Sequence, residues 1–145
     1  MVKINCTRVL IGGLLAGVVL NVLWFAAWGP LVIPSLRAAL LALGHPMQET
    51  VGTTVLMVVL GFLMGIVLIW LYAAIRPRYG AGPGTAALAG LAAGLLMGVF
   101  PDIAWGLTLR LIPARVWVAD AVISLVAVVI ATVVGAWAYK EQAEG

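Results

Sequence analysis

Four long runs of apolar residues restrict the folds that this chain can adopt. The runs cover residues 9–28, 51–75, 85–109 and 116–139, and each is poor in charged side chains. A helix needs about 20 apolar residues to cross the hydrocarbon of a bilayer, so each run is long enough to span it. Only 9% of the 145 residues are charged, whereas soluble domains carry about 25%. The sequence therefore predicts an all-α membrane protein, one domain over residues 1–145 with four transmembrane helices.

The positive side chains predict how these helices are oriented. Loops on the side of the two termini hold five of them, and loops on the other side hold three: Lys3, Arg8, Arg76, Arg78 and Lys140 against Arg37, Arg110 and Arg115. Because cytoplasmic loops carry an excess of Lys and Arg, both termini are expected in the cytoplasm of a bacterial cell, with the chain in its inner membrane. The first run is longer than the apolar core of a signal peptide, so we interpret it as an uncleaved span.

The two halves of the chain resemble each other. Residues 13–29 (GLLAGVVLNVLWFAAWG) and 90–106 (GLAAGLLMGVFPDIAWG) agree at eight of seventeen positions. The second and fourth runs share a weaker match, since Trp70-x-Tyr72 recurs as Trp137-x-Tyr139. These matches predict an internal repeat, residues 9–75 and 86–139, built as a duplicated helical hairpin. The first and third helices run in the same direction, so the repeat would be parallel.

Small residues spaced four apart predict where the helices pack. In lipid, helices associate through close backbone approach, which glycine permits. The packing positions expected on this basis are Gly13, Gly17, Gly61, Gly65, Gly90, Gly94 and Gly98. The third helix, with three glycines in register, is the expected centre of the bundle.

The loop between the first two spans is long and mostly apolar. It predicts a short helix in the outer interface, with Ser35 as its cap and Gly44 at its end.

Motifs of the common enzyme classes are missing from the sequence. It contains no phosphate-binding loop, dinucleotide fingerprint, HExxH motif or nucleophile elbow. The single Cys6 and the single His45 exclude a cysteine-based metal site and a bis-histidine haem site. We therefore expect no catalytic residues, no cofactor, no metal site and no nucleic-acid partner.

A few polar residues inside the apolar runs are the candidate site. Asn21 lies in the middle of the first run, and Asp102 and Asp120 lie in the third and fourth. Asp102 follows Pro101, which has no amide hydrogen and should kink the third helix. Both carboxylates lie about 10 Å from the outer ends of their helices, because each residue adds about 1.5 Å. The short RLIPAR connection makes these helices neighbours, so the two aspartates are expected at one depth.

Two interpretations of the aspartates stay open. In the favoured one, they pair with Arg110 and Arg115 near the outer interface, and Asn21 is an interhelical hydrogen-bonding residue. In the other, they line a small hydrated cavity that takes up a proton, a cation or a basic headgroup, because ionisable residues inside a membrane commonly mark functional sites.

The stretches GGLLAGVVLNVLW, LIWLYAAIRPRYGAGPGTAALAG and GAWAYKE carry a resemblance that covers most of the chain. The layout resembles a set of small uncharacterised bacterial inner-membrane proteins of four helices, for which no catalytic residues are known. The small multidrug efflux family is similar in size and helix number. That family uses a glutamate in the first helix, and the first helix here contains no acidic residue.

The sequence thus predicts a non-enzymatic membrane protein surrounded by lipid. We expect an accessory or scaffold subunit that forms a homo-oligomer or joins a larger membrane complex. The alternative is a small transporter or channel for a proton, a cation or a small amphiphile that uses Asp102 and Asp120.

Overall fold

The computed structural model describes residues 4–140. Over this range the chain is helical with short turns, and four of its helices are long and apolar enough to cross a membrane. We number the helices α1 to α5 in chain order. The four spans are α1, α3, α4 and α5, and α2 is a short helix between the first two. Their bounds are Cys6–Leu31 for α1, Ile33–Ala42 for α2, Val51–Tyr79 for α3, Pro83–Leu109 for α4 and Ala114–Trp137 for α5.

The four predicted spans are confirmed, with ends that differ by a few residues. The largest difference is in α3, which continues through Pro77 to Tyr79, whereas the predicted run ends at residue 75. Proline removes one backbone hydrogen bond near the end of a helix, and the remaining bonds still hold the last turn. The connection to α4 is therefore short. Gly80 and Gly82 make it with φ angles of +84° and +141°, which side chains on Cβ disfavour.

Two of the spans contain a π-helical turn. In α1 it covers Trp24–Trp28 and in α4 it covers Leu95–Val99. Each turn ends two residues before a proline, Pro30 or Pro101. Since proline cannot donate to the carbonyl four residues back, the preceding backbone widens, and the amide of Phe100 donates to the carbonyl of Leu95. The sequence predicted a kink at Pro101, and the π-turn of α4 lies directly before this residue; the π-turn near Pro30 was not predicted.

The centre of the bundle is the pair α1 and α5. α1 packs along α3 on one side and along α5 on the other, and α5 also packs along α4. α1 and α5 are accordingly the most buried spans. The prediction that the third span, α4, forms the centre is wrong. Its three glycines lie on one face and contact α5, while the rest of its surface is largely free of other helices.

The glycines predicted for packing all lie where helices approach each other. A Cβ on Gly13 would lie 2.5 Å from the Cα of Ile66, and one on Gly17 would lie 2.7 Å from the Cα of Phe62. Gly61 and Gly65 face α1 in return. Gly90, Gly94 and Gly98 face α5, with Gly98 the least crowded of the three. These stripes are thus occupied by contacts within the chain.

Helix α2 follows α1 almost without a break. The amide of Val32 donates to the carbonyl of Trp28, and the carbonyl of Val32 accepts from the amide of Leu36. Ser35 makes no capping hydrogen bond, so the prediction that it caps this helix is wrong. No cap is needed because α2 continues the helical hydrogen bonds of α1 through Val32. Gly44, with a φ of +75°, follows the helix as predicted.

The end of the bundle that holds Ile4, the Gly80–Gly82 turn and Lys140 is here called the terminal end. A cluster of Tyr72, Arg76 and Tyr139 ties it together, and we call this cluster the terminal clasp. The two tyrosine rings meet edge to face with centroids 5.9 Å apart, and the Arg76 guanidinium lies 5.5 Å from the ring centroid of Tyr139. The tyrosine hydroxyls accept from the amides of Gly82 and Asn5. Both tyrosines are buried, so the clasp joins α1, α3 and α5.

Candidate functional site

The opposite end of the bundle, which holds α2 and the turn from α4 to α5, is here called the distal end. Asp102 and Asp120 lie near it, in the first helical turn after the π-turn of α4 and in the second turn of α5. The two carboxylates are close enough for their charges to interact. Asp120 is buried, with 7% of its surface exposed, and Asp102 is half-buried. The structure therefore brings together the two acidic residues that the sequence singled out.

The partners of the two carboxylates are few. Asp120 accepts a hydrogen bond from the Ser124 hydroxyl at 3.4 Å, and the Trp28 indole of α1 lies within hydrogen-bonding reach of it. The buried Oδ2 atom of Asp102 has no hydrogen-bond partner among the described residues. At membrane depth such groups are costly, because neither water nor a fixed donor solvates them.

A groove of about 430 Å³ runs between α4 and α5 beside Asp102. Its walls are apolar apart from Asp102 and the Trp117 indole. The lining residues are Leu95, Val99, Asp102, Ile103, Gly106 and Leu107 from α4, and Ala114, Trp117, Val118, Ala121, Val122 and Leu125 from α5. Gly106 allows the indole to lie against α4, since a Cβ there would lie 2.8 Å from the Cγ of Trp117. We call this feature the α4–α5 groove.

Arg110 and Arg115 do not pair with the aspartates. Both arginines are exposed, and Arg110 donates from Nε to the carbonyl of Leu107. Within residues 4–140 the ion pair present is Arg37 with Glu49, in the loop after α2. The favoured interpretation of the sequence, which paired Asp102 and Asp120 with these arginines, is therefore wrong. Arg110 ends α4 in the left-handed conformation, with φ +50°, and this turn directs its side chain back along its own helix.

Asn21 belongs to a different part of the molecule. Its amide donates to the carbonyl of Gly17 on its own helix at 2.8 Å and to the carbonyl of Val58 on α3 at 3.2 Å. Gly61 leaves the space that the Asn21 side chain fills. The arrangement is an interhelical hydrogen bond between α1 and α3, as the favoured interpretation of this residue expected.

Sequence reasoning missed three residues around the carboxylates: Trp28, Ser124 and Gly106. Ser124 follows Asp120 by four residues, so helical periodicity places both on one face of α5. Trp28 ends the first apolar run, a position at which tryptophans commonly lie in the lipid interface. Trp70, Trp105 and Trp137 are indeed exposed on the surface, whereas Trp28 turns towards Asp120. No sequence signal separates these two roles.

Among residues 4–140, no three His, Cys, Asp or Glu side chains lie together as a metal site would require. Comparison of the chain with protein-family models, curated proteins and solved structures finds no match. The function must therefore be argued from the geometry around Asp102 and Asp120.

Proposed function

We propose that the protein is a non-enzymatic membrane protein that binds a cationic amphiphile in the α4–α5 groove. One observation carries the proposal: two interacting carboxylates belong to helices long and apolar enough to span a membrane, and within residues 4–140 neither is paired with an arginine or lysine. Like charges this close repel more strongly in a medium of low dielectric constant than in water. A bound cation would relieve the repulsion, and the apolar walls of the groove suit an alkyl chain.

Binding of an alkylammonium ion tests the proposal. Dodecylamine added to the purified protein in a neutral detergent should raise its melting temperature, because a ligand that binds only the folded state stabilises it. The neutral analogue dodecanol, with the same chain length, should raise it much less. The double variant Asp102→Asn/Asp120→Asn should lose the difference between the two compounds.

A matched control is Glu49→Gln, which removes an acidic charge that does not line the groove. This variant should keep the full response to dodecylamine. If the double variant responds to dodecylamine as the unaltered protein does, the carboxylates do not bind the cation and the proposal is wrong.

A second candidate function, an accessory or scaffold subunit, is favoured by the distal half of α3. Every residue from 51 to 57 is exposed, so other helices of the described chain leave the first two turns of this span largely uncovered. A helix of another subunit, or a second copy of this protein, could occupy that position. Purification from native membranes in mild detergent should then yield a stoichiometric partner or a homo-oligomer.

A photo-reactive residue distinguishes protein from lipid at this position. Placed at Leu56 in α3, it should cross-link to a polypeptide in native membranes. Placed at the equally lipid-exposed Leu91 in α4, it should cross-link to lipid alone. Cross-links to lipid alone from both positions would eliminate the subunit hypothesis.

We further infer an inner-membrane location with both termini in the cytoplasm and a duplicated hairpin as the ancestor of the fold. The edge-to-face pair of Tyr72 and Tyr139 supports the duplication, because the sequence repeat relates these two residues. Helix α2 would lie in the outer interface.

A single cysteine at Ala81, introduced after Cys6→Ser, tests the orientation. Position 81 lies in the short turn between α3 and α4 at the terminal end. A thiol reagent that does not cross membranes should label it only from the cytoplasmic side. Labelling from the other side would invert the orientation.

A further inference from the structure

The buried apolar residues form two separate clusters, and the aspartates lie between them. The main core fills the bundle from the terminal clasp to its middle. A smaller cluster at the distal end consists of Val32, Ile112 and Val116, with Trp28, Leu36 and Trp117 packed against it. We call this smaller cluster the distal cap. Along α5, Val116 belongs to the cap and Ala127 begins the main core, with Asp120 between them.

Both helices that lead into the distal cap are broken close to the level of the aspartates. The π-turn Trp24–Trp28 precedes Val32, and the π-turn Leu95–Val99 precedes the part of α4 that ends beside Ile112. π-turns and prolines weaken the regular hydrogen-bond ladder, so a helix bends there at the lowest cost. Helix α5, by contrast, is continuous from Ala114 to Trp137. The part of the distal cap that α1 and α2 contribute, Val32 with Trp28 and Leu36, can therefore move away from Val116 of α5 without disturbing the main core.

Trp28 connects the distal cap to the carboxylates. Its side chain packs against the cap and also lies within hydrogen-bonding reach of Asp120. A movement of Val32 and Trp28 away from Val116 would carry this indole off the buried carboxylate. The terminal clasp holds the opposite end closed through ring stacking and hydrogen bonds.

We propose that the distal cap is a gate: α1 bends at its π-turn, Val32 and Trp28 move away from Val116 of α5, and Asp120 becomes exposed to the distal side of the membrane. The inference deepens the proposed function, since it states how the buried one of the same two carboxylates becomes accessible. The main core and the terminal clasp stay closed when the cap opens, so water reaches Asp120 from the distal end.

The test measures how fast a buried position becomes accessible to water, and it uses no ligand. In a Cys6→Ser background, the change Asp120→Cys places a thiol under the cap. A small water-soluble methanethiosulfonate reagent modifies the thiolate, so its rate in mild detergent reports opening. Val32→Ala should raise this rate about tenfold, since it removes apolar contacts of the closed cap alone. Ile112→Ala is a second cap variant with the same expected effect.

Two further variants test the hinge. Pro30→Ala restores the missing backbone donor in α1 and should lower the modification rate. Pro77→Ala, in α3 near the terminal end, should leave it unchanged. A thiol introduced at the fully buried Ala131 of the main core should remain unmodified in every background.

Two results would overturn the gate. One is a modification rate at position 120 that neither Val32→Ala nor Ile112→Ala changes. The other is modification of Ala131→Cys at the same rate as position 120, which would mean that the whole bundle opens. Failure of the dodecylamine experiment would leave these rates as they are, so the two proposals fail separately.

Discussion

Both ends of the bundle contain polar groups in apolar surroundings, but the two ends differ in the interaction partners that these groups have. At the terminal end, the hydroxyls of Tyr72 and Tyr139 accept hydrogen bonds from backbone amides, and Arg76 lies against an aromatic ring. At the distal end, Asp102 Oδ2 and the indole nitrogen of Trp117 are buried without hydrogen-bond partners among the described residues. A buried polar group stabilises a fold only when it is paired, since an unpaired one keeps its full desolvation cost.

This difference assigns different roles to the ends. The terminal end gains stability from its polar groups and joins three helices rigidly. The distal end retains uncompensated charge, two helix breaks and a separate small core. Buried polar groups without partners are retained mainly where they have a function, such as binding a ligand or taking part in a conformational change. Four substitutions test whether the geometric difference is accompanied by a difference in what each group contributes to the free energy of unfolding.

The largest effect is expected for added volume at the terminal end. A Cβ on Gly135 would lie 2.6 Å from the carbonyl oxygen of Gly12, so Gly135→Ala forces the backbones of α1 and α5 apart. We expect a loss of roughly 1–3 kcal/mol in the free energy of unfolding, measured in detergent. Gly98→Ala, whose Cβ would meet only the Cβ of Ser124 at 3.3 Å, should change it by much less. Equal losses would show that the two ends are packed alike.

A polar group with partners should be stabilising inside the membrane. Asn21→Ala removes the hydrogen bond to Val58 on α3 and empties the space beside Gly61. The expected loss in the free energy of unfolding is about 0.6–2 kcal/mol. The neighbouring and exposed Val22, changed to Ala, serves as the control and should have little effect. A neutral result for Asn21→Ala would contradict its role between α1 and α3.

The hydroxyl of Tyr139 should contribute at the terminal end. Tyr139→Phe keeps the ring contacts with Tyr72 and Arg76 and removes the hydrogen bond with the amide of Asn5. Thermal unfolding should reveal a loss of about 0.5–1.5 kcal/mol. Tyr79, whose side chain is exposed, provides the matched change Tyr79→Phe, and this variant should unfold at the original temperature.

The opposite sign is expected at the distal end. Asp102→Asn removes a charge that has no ion-pair partner among the described residues and keeps the size of the side chain, so it should raise the free energy of unfolding by up to about 1 kcal/mol in the absence of ligand. The same thermal measurement applies. If Asp102→Asn is destabilising instead, the carboxylate has a stabilising partner, and the contrast between the ends disappears.

The positions of the helices and the choice of Asp102 and Asp120 as candidate site residues followed from the sequence. The length of the apolar runs and the scarcity of charge predict four spans, because only a helix satisfies its own backbone in lipid. The short turn between the third and fourth spans makes them neighbours, and this constraint sufficed to place Asp102 near Asp120. The glycine stripes likewise indicated contact faces, since small residues four apart share one side of a helix.

The partners of those residues depended on the tertiary structure. Arg110 and Arg115 are close to the aspartates in sequence, yet the left-handed turn at Arg110 and the exposure of both side chains keep them apart. Trp28 reaches Asp120 from a different hairpin, and α1 and α5 rather than α4 occupy the centre. Such contacts join residues about ninety positions apart, and their geometry depends on how the helices pack and bend. Local spacing indicated contact faces but not which elements meet at the carboxylates, so only the assembled bundle decided which polar groups were paired and which were left without described partners.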